Sequence, residues 1–146
     1  MLTIKNNHFQ LNPLVEIIND KIPIADICDA IEEFIVENKQ RTIINGRPAD
    51  VFYVSGHARR QHERLADYLN RTAFRNHELT AYPVKGSFAD YPGSHFWLEA
   101  RHLIIDIAIR QFFNKGIALP KDLDSSRHCF ICDNQDNALY GLYSAF

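Results

Sequence analysis

The sequence lacks the features of a membrane-spanning protein and of a disulfide-stabilised one. It has three cysteines, an odd number whose spacing does not form a disulfide framework. Its apolar runs cover only a few residues, far below the roughly 20 that a membrane-spanning helix needs. Its first residues have no basic start followed by an apolar block, as a secretory signal would. We therefore expect a cytoplasmic protein with no membrane partner, and signal-free secretion is the alternative.

An excess of charge of one sign is also absent. Sixteen Lys and Arg residues stand against 18 Asp and Glu residues, which gives a formal net charge of −2. This balance gives no electrostatic reason to expect nucleic acid as a partner. The 146 residues and the 46% hydrophobic fraction fit one domain with a real core. We therefore predict a single domain over residues 1–146.

The N-terminal part of the chain predicts helices. Apolar residues recur at helical spacing in "IPIADICDAIEEFIVENKQ", with acids on the other face and Pro23 at its start. The stretch "HARRQHERLADYLNRTAF" is also typical of a helix, and "NPLVEIINDK" is consistent with a short one.

The rest of the chain favours strands. "HFWLEA" and "LIIDIAIRQF" are predicted to form a pair joined at Arg101–His102, and Pro83 marks an edge or bulge in "ELTAYPVKGSF". A turn is expected at 45–48. The remaining predicted strands are "ADVFYVSG", "HCFICD" and "ALYGLYSAF". Helices followed by adjacent strands predict an α+β fold with an antiparallel sheet.

Asp106 is the unusual residue of the strand "LIIDIAI". A carboxylate among isoleucines is expected to be buried, and burial is costly unless the charge is paired or hydrogen-bonded. His95 is its natural partner, although hairpin counting alone does not bring the two within reach without a bulge or stagger. The alternative is a structural Asp106 bonded to backbone N–H groups or an arginine. Strand alternation places Ile104, Asp106 and Ala108 on one face, and Ile105, Ile107 and Ile109 on the other.

The stretch from Gly93 to Phe112 resembles a known superfamily. His95, Trp97 and Glu99, followed by Asp106 in an apolar strand ending in Gln-Phe, are similar to the pattern of papain-like and transglutaminase-like cysteine hydrolases and acyltransferases. The likeness is close over residues 93–112 and loose over 20–140. It implies a papain-like arrangement of N-terminal helices packed on an antiparallel sheet.

The resemblance also implies a catalytic triad. Cys28, the one upstream cysteine, would be the nucleophile, His95 the general base and acid, and Asp106 the group that orients the imidazole. The reaction would be acyl transfer on a protein or peptide-like substrate. Hydrolysis of an amide, isopeptide or thioester, transamidation and glutamine deamidation all remain open. No cofactor or metal is implied, and Trp97 would contact the substrate or, as the alternative, fill the core.

Cys28 also has a reading without catalysis. A helix N-terminus and an imidazolium lower a thiol pKa, but the flanking Asp26 and Asp29 raise it. Cys28 also shares the apolar stripe of its helix with Ile24, Ile27 and Ile31, and free cysteine is commonly buried. The alternative function is therefore a non-catalytic module that acts through a protein interface.

Two other groups of potential site residues, for zinc binding and for serine hydrolysis, are incomplete. His128, Cys129 and Cys132 provide half of a zinc site, but strand alternation would point the two cysteines to opposite faces. His57 and His62, five residues apart, are poorly placed to supply the missing ligands. Ser55 lies near His57 without the Gly-x-Ser-x-Gly turn of a serine hydrolase.

Overall fold

The computed structural model describes residues 10–39, 43–44, 47–48, 58–113 and 115–146. These residues form an α+β fold, as predicted, with two helices and a six-stranded sheet. The helices are α1 (Ile24–Lys39) and α2 (Ala58–Arg71). The strands are β1 (Pro13–Glu16), β2 (Ile43–Ile44), β3 (Arg47–Pro48), β4 (Tyr82–Phe88), β5 (His95–Ala100), β6 (Leu103–Asp106), β7 (Cys129–Cys132) and β8 (Tyr143–Ala145). Short 3₁₀ helices cover Ile109–Phe112 and Tyr140–Leu142.

Both longer predicted helices are confirmed. Helix α1 begins directly after Pro23, where a proline costs no hydrogen bond. Its apolar stripe is buried, with Ile27 and Ile31 fully enclosed. Helix α2 buries Leu65 and Leu69 and leaves its arginines towards solvent. Each helix therefore packs one apolar face on the sheet side of the molecule. Neither helix meets the length and apolarity that spanning a membrane requires, and this holds for the described residues only.

The large sheet is mixed, which differs from the predicted antiparallel one. Its strand order is β1-β7-β6-β5-β4-β8, and only the β1–β7 pair is parallel. The predicted short helix at "NPLVEIINDK" is wrong, because Pro13–Glu16 forms β1 along the edge of β7. Pairing with β7 satisfies the backbone groups of this short segment, and a four-residue helix could not do the same. β2 and β3 form a separate two-stranded sheet.

The hairpin of β5 and β6 forms as predicted, with Ala100 paired to Leu103 across the Arg101–His102 turn. The predicted strand "LIIDIAIRQF" is too long, however, because β6 ends at Asp106. The Asp106 side chain accepts a hydrogen bond from the Ala108 N–H, at 2.8 Å from Oδ1, and this local bond turns the chain out of the strand. Ile109 consequently lies in a different core cluster from Ile105, against the prediction.

Other predicted strands are confirmed in part. "ELTAYPVKGSF" contains β4, and Pro83 lies outside the part of β4 that pairs with β8, so it has an edge-like position. "HCFICD" contains β7, while "ALYGLYSAF" divides into a 3₁₀ helix and β8. The predicted strand "ADVFYVSG" lies outside the described residues, and so does the first half of the predicted turn at 45–48. Its second half, Arg47–Pro48, is β3.

The large sheet separates two apolar clusters. The first lies under the helices and contains side chains such as Ile31, Leu65 and Ile105. The second lies on the other face and is rich in aromatic rings. In it Phe130 of β7 stacks on Tyr143 of β8 at a centroid distance of 6.0 Å. Four inter-strand spacings, about 19 Å in a flat sheet, separate these strands. The sheet therefore curls around the aromatic cluster, and His95 and Asp106 lie on this concave side.

Candidate functional site: a buried His–Asp network and a cleft at the hairpin end

His95 and Asp106 are in direct contact, as the sequence predicted. The His95 imidazole lies 2.7 Å from Asp106, measured from Nε2 to Oδ2. The β5–β6 register pairs Leu98 with Ile105, so one more step places Asp106 across from Trp97. His95 is the diagonal neighbour on the same face, a separation that an imidazole can span. No bulge interrupts the register between Leu98 and Leu103, so neither a bulge nor a stagger is needed there.

The Asp106 carboxylate is fully buried and accepts three hydrogen bonds. Besides the His95 imidazole, the Tyr143 hydroxyl donates to Oδ2 at 2.7 Å, and the Ala108 N–H donates to Oδ1. Burial by itself would raise the pKa of Asp106, but His95 and Tyr143 outweigh it and hold the pKa below its usual value. Asp106 therefore also accepts a backbone hydrogen bond, as its alternative structural role predicts.

Both ring nitrogens of His95 are engaged. Nε2 faces Asp106, and the Gln111 amide nitrogen lies 3.2 Å from Nδ1. With the Gln111 amide donating, His95 is in the tautomer that carries its proton on Nε2. The rings of Phe88 and Phe112 meet the imidazole edge-on at 5.7 and 4.7 Å. Only 1% of His95 is exposed, so its imidazole is enclosed by aromatic rings.

His62 is a member of this network that the sequence analysis missed. It lies on α2 and is fully buried. Its Nδ1 donates to the Ala58 carbonyl at 2.8 Å, and its Nε2 accepts the Ile107 N–H at 3.1 Å. Nε2 also lies 3.8 Å from Asp106 Oδ1. Burial lowers the pKa of His62 to about 4, against the charge of Asp106, so the ring is neutral. The sequence signal for the burial of His62 was its position on the apolar face of the helix that also carries Leu65 and Leu69.

Cys28 is not part of the network. Its thiol is half-buried and packs against the cluster under the helices. Burial, with Asp29 and Glu32 adding their charge, raises the pKa of Cys28 to about 11. Of the two acids predicted to raise this pKa, Asp29 contributes and Asp26 is not among the causes, while Glu32 contributes too. No hydrogen bond joins Cys28 to an imidazole in the part of the chain that the structure describes.

The sheet itself separates Cys28 from His95. Alternation along β5 places Leu98 in the cluster under the helices and Trp97 in the aromatic cluster. His95 has the same parity as Trp97 and contacts its ring at 5.8 Å. Cys28, on α1, packs on the opposite face. The structure therefore brings together two of the three predicted triad residues and leaves the third across the sheet.

Three of the other predicted site residues, Trp97, Cys129 and Cys132, are fully buried. Trp97 is fully buried, and its indole N–H donates to Glu99 Oε2 at 2.9 Å, so it fills the core rather than facing a cleft. Cys129 and Cys132 point to opposite faces, as alternation predicts. No cluster of His, Cys, Asp or Glu suited to a metal occurs among the described residues. Ser55 and His57 lie outside them.

A polar cleft lies at the other end of the hairpin. Two adjoining cavities of about 520 and 490 Å³ share Asn19, His102 and Asp133. The first continues to Lys21 and Arg101. The turn Arg101–His102 is the far end of the β5–β6 hairpin from His95 and Asp106. This cleft is therefore separate from the buried network.

Comparisons with known proteins leave the chain without a family. No family model matches it, no curated protein matches it, and no solved structure matches it. The resemblance to the papain-like superfamily therefore rests on the residues of 93–112 quoted above.

Proposed function

We propose that the chain is a non-catalytic protein-binding module with a papain-like arrangement, in which Cys28 is a core residue. One observation carries this proposal: Cys28 and His95 pack on opposite faces of the sheet. A thiol activated by an imidazole must lie within hydrogen-bond reach of it. The sequence has two other cysteines, and both are buried without an imidazole partner among the described residues.

The electrostatics of the thiols support the same proposal. A nucleophilic cysteine needs a lowered pKa, but burial and nearby acids raise the pKa of Cys28 to about 11. Burial also raises the pKa of Cys132 to about 11 and that of Cys129 well above its usual value. At neutral pH all three are therefore protonated and poor nucleophiles.

The papain-like arrangement is supported by the neighbouring strands of the hairpin. β5 carries His95 and β6 carries Asp106, in the chain order of the family, and the carboxylate orients the imidazole. In the proposed module the pair of His95 and Asp106 has a structural role. It ties β8 to β6 through Tyr143 and closes the aromatic cluster.

Cysteine-dependent acyl transfer is the second candidate, and the 2.7 Å contact of His95 with Asp106 favours it. A histidine whose proton is held by a carboxylate is the base that such a reaction uses. This candidate requires that Cys28 and His95 meet, which needs a rearrangement across the sheet.

The pH profile of cysteine alkylation separates the two candidates. Each cysteine is labelled with iodoacetamide between pH 6 and pH 10 and quantified by mass spectrometry, in the wild type, in His95→Gln and in the control His77→Gln. Because the pKa of Cys28 is about 11, we expect its labelling to rise with pH throughout this range without reaching a plateau, and to be the same in all three proteins. Fast labelling below pH 8 that His95→Gln slows and His77→Gln does not would overturn the module and support the enzyme.

A further inference from the structure

The cleft at the hairpin end has an uneven distribution of charge. Its first cavity is lined by the cationic side chains of Lys21 and Arg101 and by two acids, Glu78 and Asp133, of which Asp133 also lines the second cavity. Its second cavity is lined by three acids, Asp20, Asp133 and Asp136, and by no Lys or Arg. The two cavities meet at Asn19, His102 and Asp133. The two cations of the cleft therefore line only the first cavity, here called the basic compartment. Three of its four acids line the second cavity, here called the acidic compartment.

Asp133 lies where the two cavities of the cleft meet. It is half-buried at the end of β7, and burial raises the pKa of its carboxyl group. Its backbone N–H donates to the Glu16 carbonyl, which fixes its position. Within the described ranges, no donor hydrogen-bonds its carboxylate. His102 lines the same junction of the two cavities, and the side-chain amide nitrogen of Gln135 lies 2.8 Å from its Nδ1. A desolvated carboxylate in this position favours an ammonium or guanidinium ligand.

Arg101 is available to a ligand in the basic compartment. Its ion pair with Glu78, at 3.6 Å, joins two largely exposed side chains, so that pair contributes little. The backbone of Arg101 has a φ of 57°, a left-handed conformation that favours glycine. The turn therefore holds an arginine where a glycine would be less strained. The side chain stands at the rim of a cavity whose buried wall includes Ile22 and Ala100.

We infer that this cleft binds a peptide segment of a partner protein that carries both a basic and an acidic side chain. The basic group pairs with Asp133, and the acidic group pairs with Lys21 and Arg101. Side-chain amides of Asn19, Asn76 and Asn134 line the same cleft and match peptide backbone groups. Each cavity falls in the size range of sites for small ligands. The inference rests on the proposed function, because it identifies the surface through which the module acts.

A peptide titration tests the inference. The ¹⁵N-labelled chain is titrated to millimolar concentrations with acetyl-Lys-Ala-Ala-Glu-amide and with acetyl-Glu-Ala-Ala-Lys-amide, and amide shifts are recorded. The uncharged acetyl-Gln-Ala-Ala-Gln-amide is the control ligand. We expect saturable shifts in residues 18–22, 76–79, 101–102 and 133–136 with at least one charged peptide, and none with the uncharged one.

Variants assign the binding to the two compartments. Asp133→Asn and Arg101→Gln should each weaken binding about fivefold, as expected for a partly exposed charge pair. Glu63→Gln is the matched control, an exposed charge on α2 that is paired with Arg59 outside the cleft. It should leave binding unchanged.

The absence of shifts at millimolar peptide would overturn the inference. So would equal shifts with the uncharged peptide, or shifts that Asp133→Asn and Arg101→Gln do not change. Shifts confined to another surface would also overturn the cleft while leaving a binding module in place. The alkylation profile of Cys28 decides the module itself, so failure of the module and failure of the cleft are distinguishable.

Discussion

The Asp106 side chain makes more hydrogen bonds than the other side chains of β6. Its carboxylate is fully buried and accepts hydrogen bonds from His95, Tyr143 and the Ala108 backbone. These donors come from β5, from β8 and from the chain just after β6. A single carboxylate therefore fixes the relative positions of three parts of the fold, and removing it leaves buried donors without an acceptor.

Two substitutions of Asp106 should separate the effect of losing its hydrogen bonds from the effect of losing its charge. Asp106→Ala leaves the three donors unsatisfied and should lower the free energy of unfolding by about 3–5 kcal/mol. Asp106→Asn keeps the acceptor for Ala108, and the His95 and Tyr143 protons can reorient, so about 1–3 kcal/mol is expected. Urea unfolding followed by circular dichroism measures both. Asp67→Ala, an exposed residue paired with Arg71 on α2, is the control and should change stability by less than about 0.5 kcal/mol. An Asp106→Ala protein as stable as this control would contradict the role of the network.

The packing of strand β8 against β4 depends on a close backbone approach at Gly86. Gly86 of β4 pairs with Ala145 of β8. A Cβ at Gly86 would collide with the Ser144 carbonyl oxygen and with the Trp97 ring. The glycine is therefore needed for its lack of a side chain. Because β8 also supplies Tyr143 to Asp106, the packing of this edge strand and the buried network are linked.

Gly86→Ala should therefore displace β8. We expect a loss of about 1–3 kcal/mol in the free energy of unfolding, from overpacking against backbone and a buried ring. Amide exchange of residues 143–145 should also become faster. Gly141→Ala is the matched control, because a Cβ there meets nothing within 4 Å, and it should be neutral or slightly stabilising. If the two variants were equally stable, the close approach at Gly86 would not be limiting.

Buried histidine makes the stability of the whole molecule depend on pH. The pKa of His62 is about 4 in the folded chain, against about 6.5 in an unfolded one. Between these values the unfolded chain binds the extra proton, so stability falls as the pH falls from 6.5 towards 4. Asp106 faces His62 and has a lowered pKa. Its own stabilisation is lost only at pH values below the usual range of an aspartate.

We expect the free energy of unfolding to fall by about 2 kcal/mol between pH 7 and pH 5. The cause is one buried imidazole, whose pKa differs by about 2.5 units between the folded and the unfolded chain. Unfolding free energies across this range measure it. His62→Gln should show a shallower pH dependence than the wild type, whatever its absolute stability. His77→Gln, which changes an exposed histidine, should keep the wild-type slope. A His62→Gln protein with the wild-type slope would assign the acid sensitivity to another group.

The helices, most strands and the hairpin turn at Arg101–His102 follow from local pattern. Apolar spacing in α1 and α2 and alternation along β5 are properties of neighbouring residues, so the sequence by itself determined them. The contact of His95 with Asp106 was also within reach, since both belong to one hairpin. The edge strand β1 was missed because its backbone partner is β7, more than a hundred residues away.

Only the tertiary structure decided the site. Whether Cys28 faces His95 depends on which side of the sheet α1 packs, and that choice is set by long-range packing of apolar surfaces. Likewise, His62 reaches Asp106 from a separate helix, Tyr143 arrives from the last strand, and the cleft combines four distant loops. The sequence determined what each segment is, because local propensity and periodicity are encoded residue by residue. The tertiary structure determined which side chains meet, because contacts between remote segments depend on the packing of the whole chain.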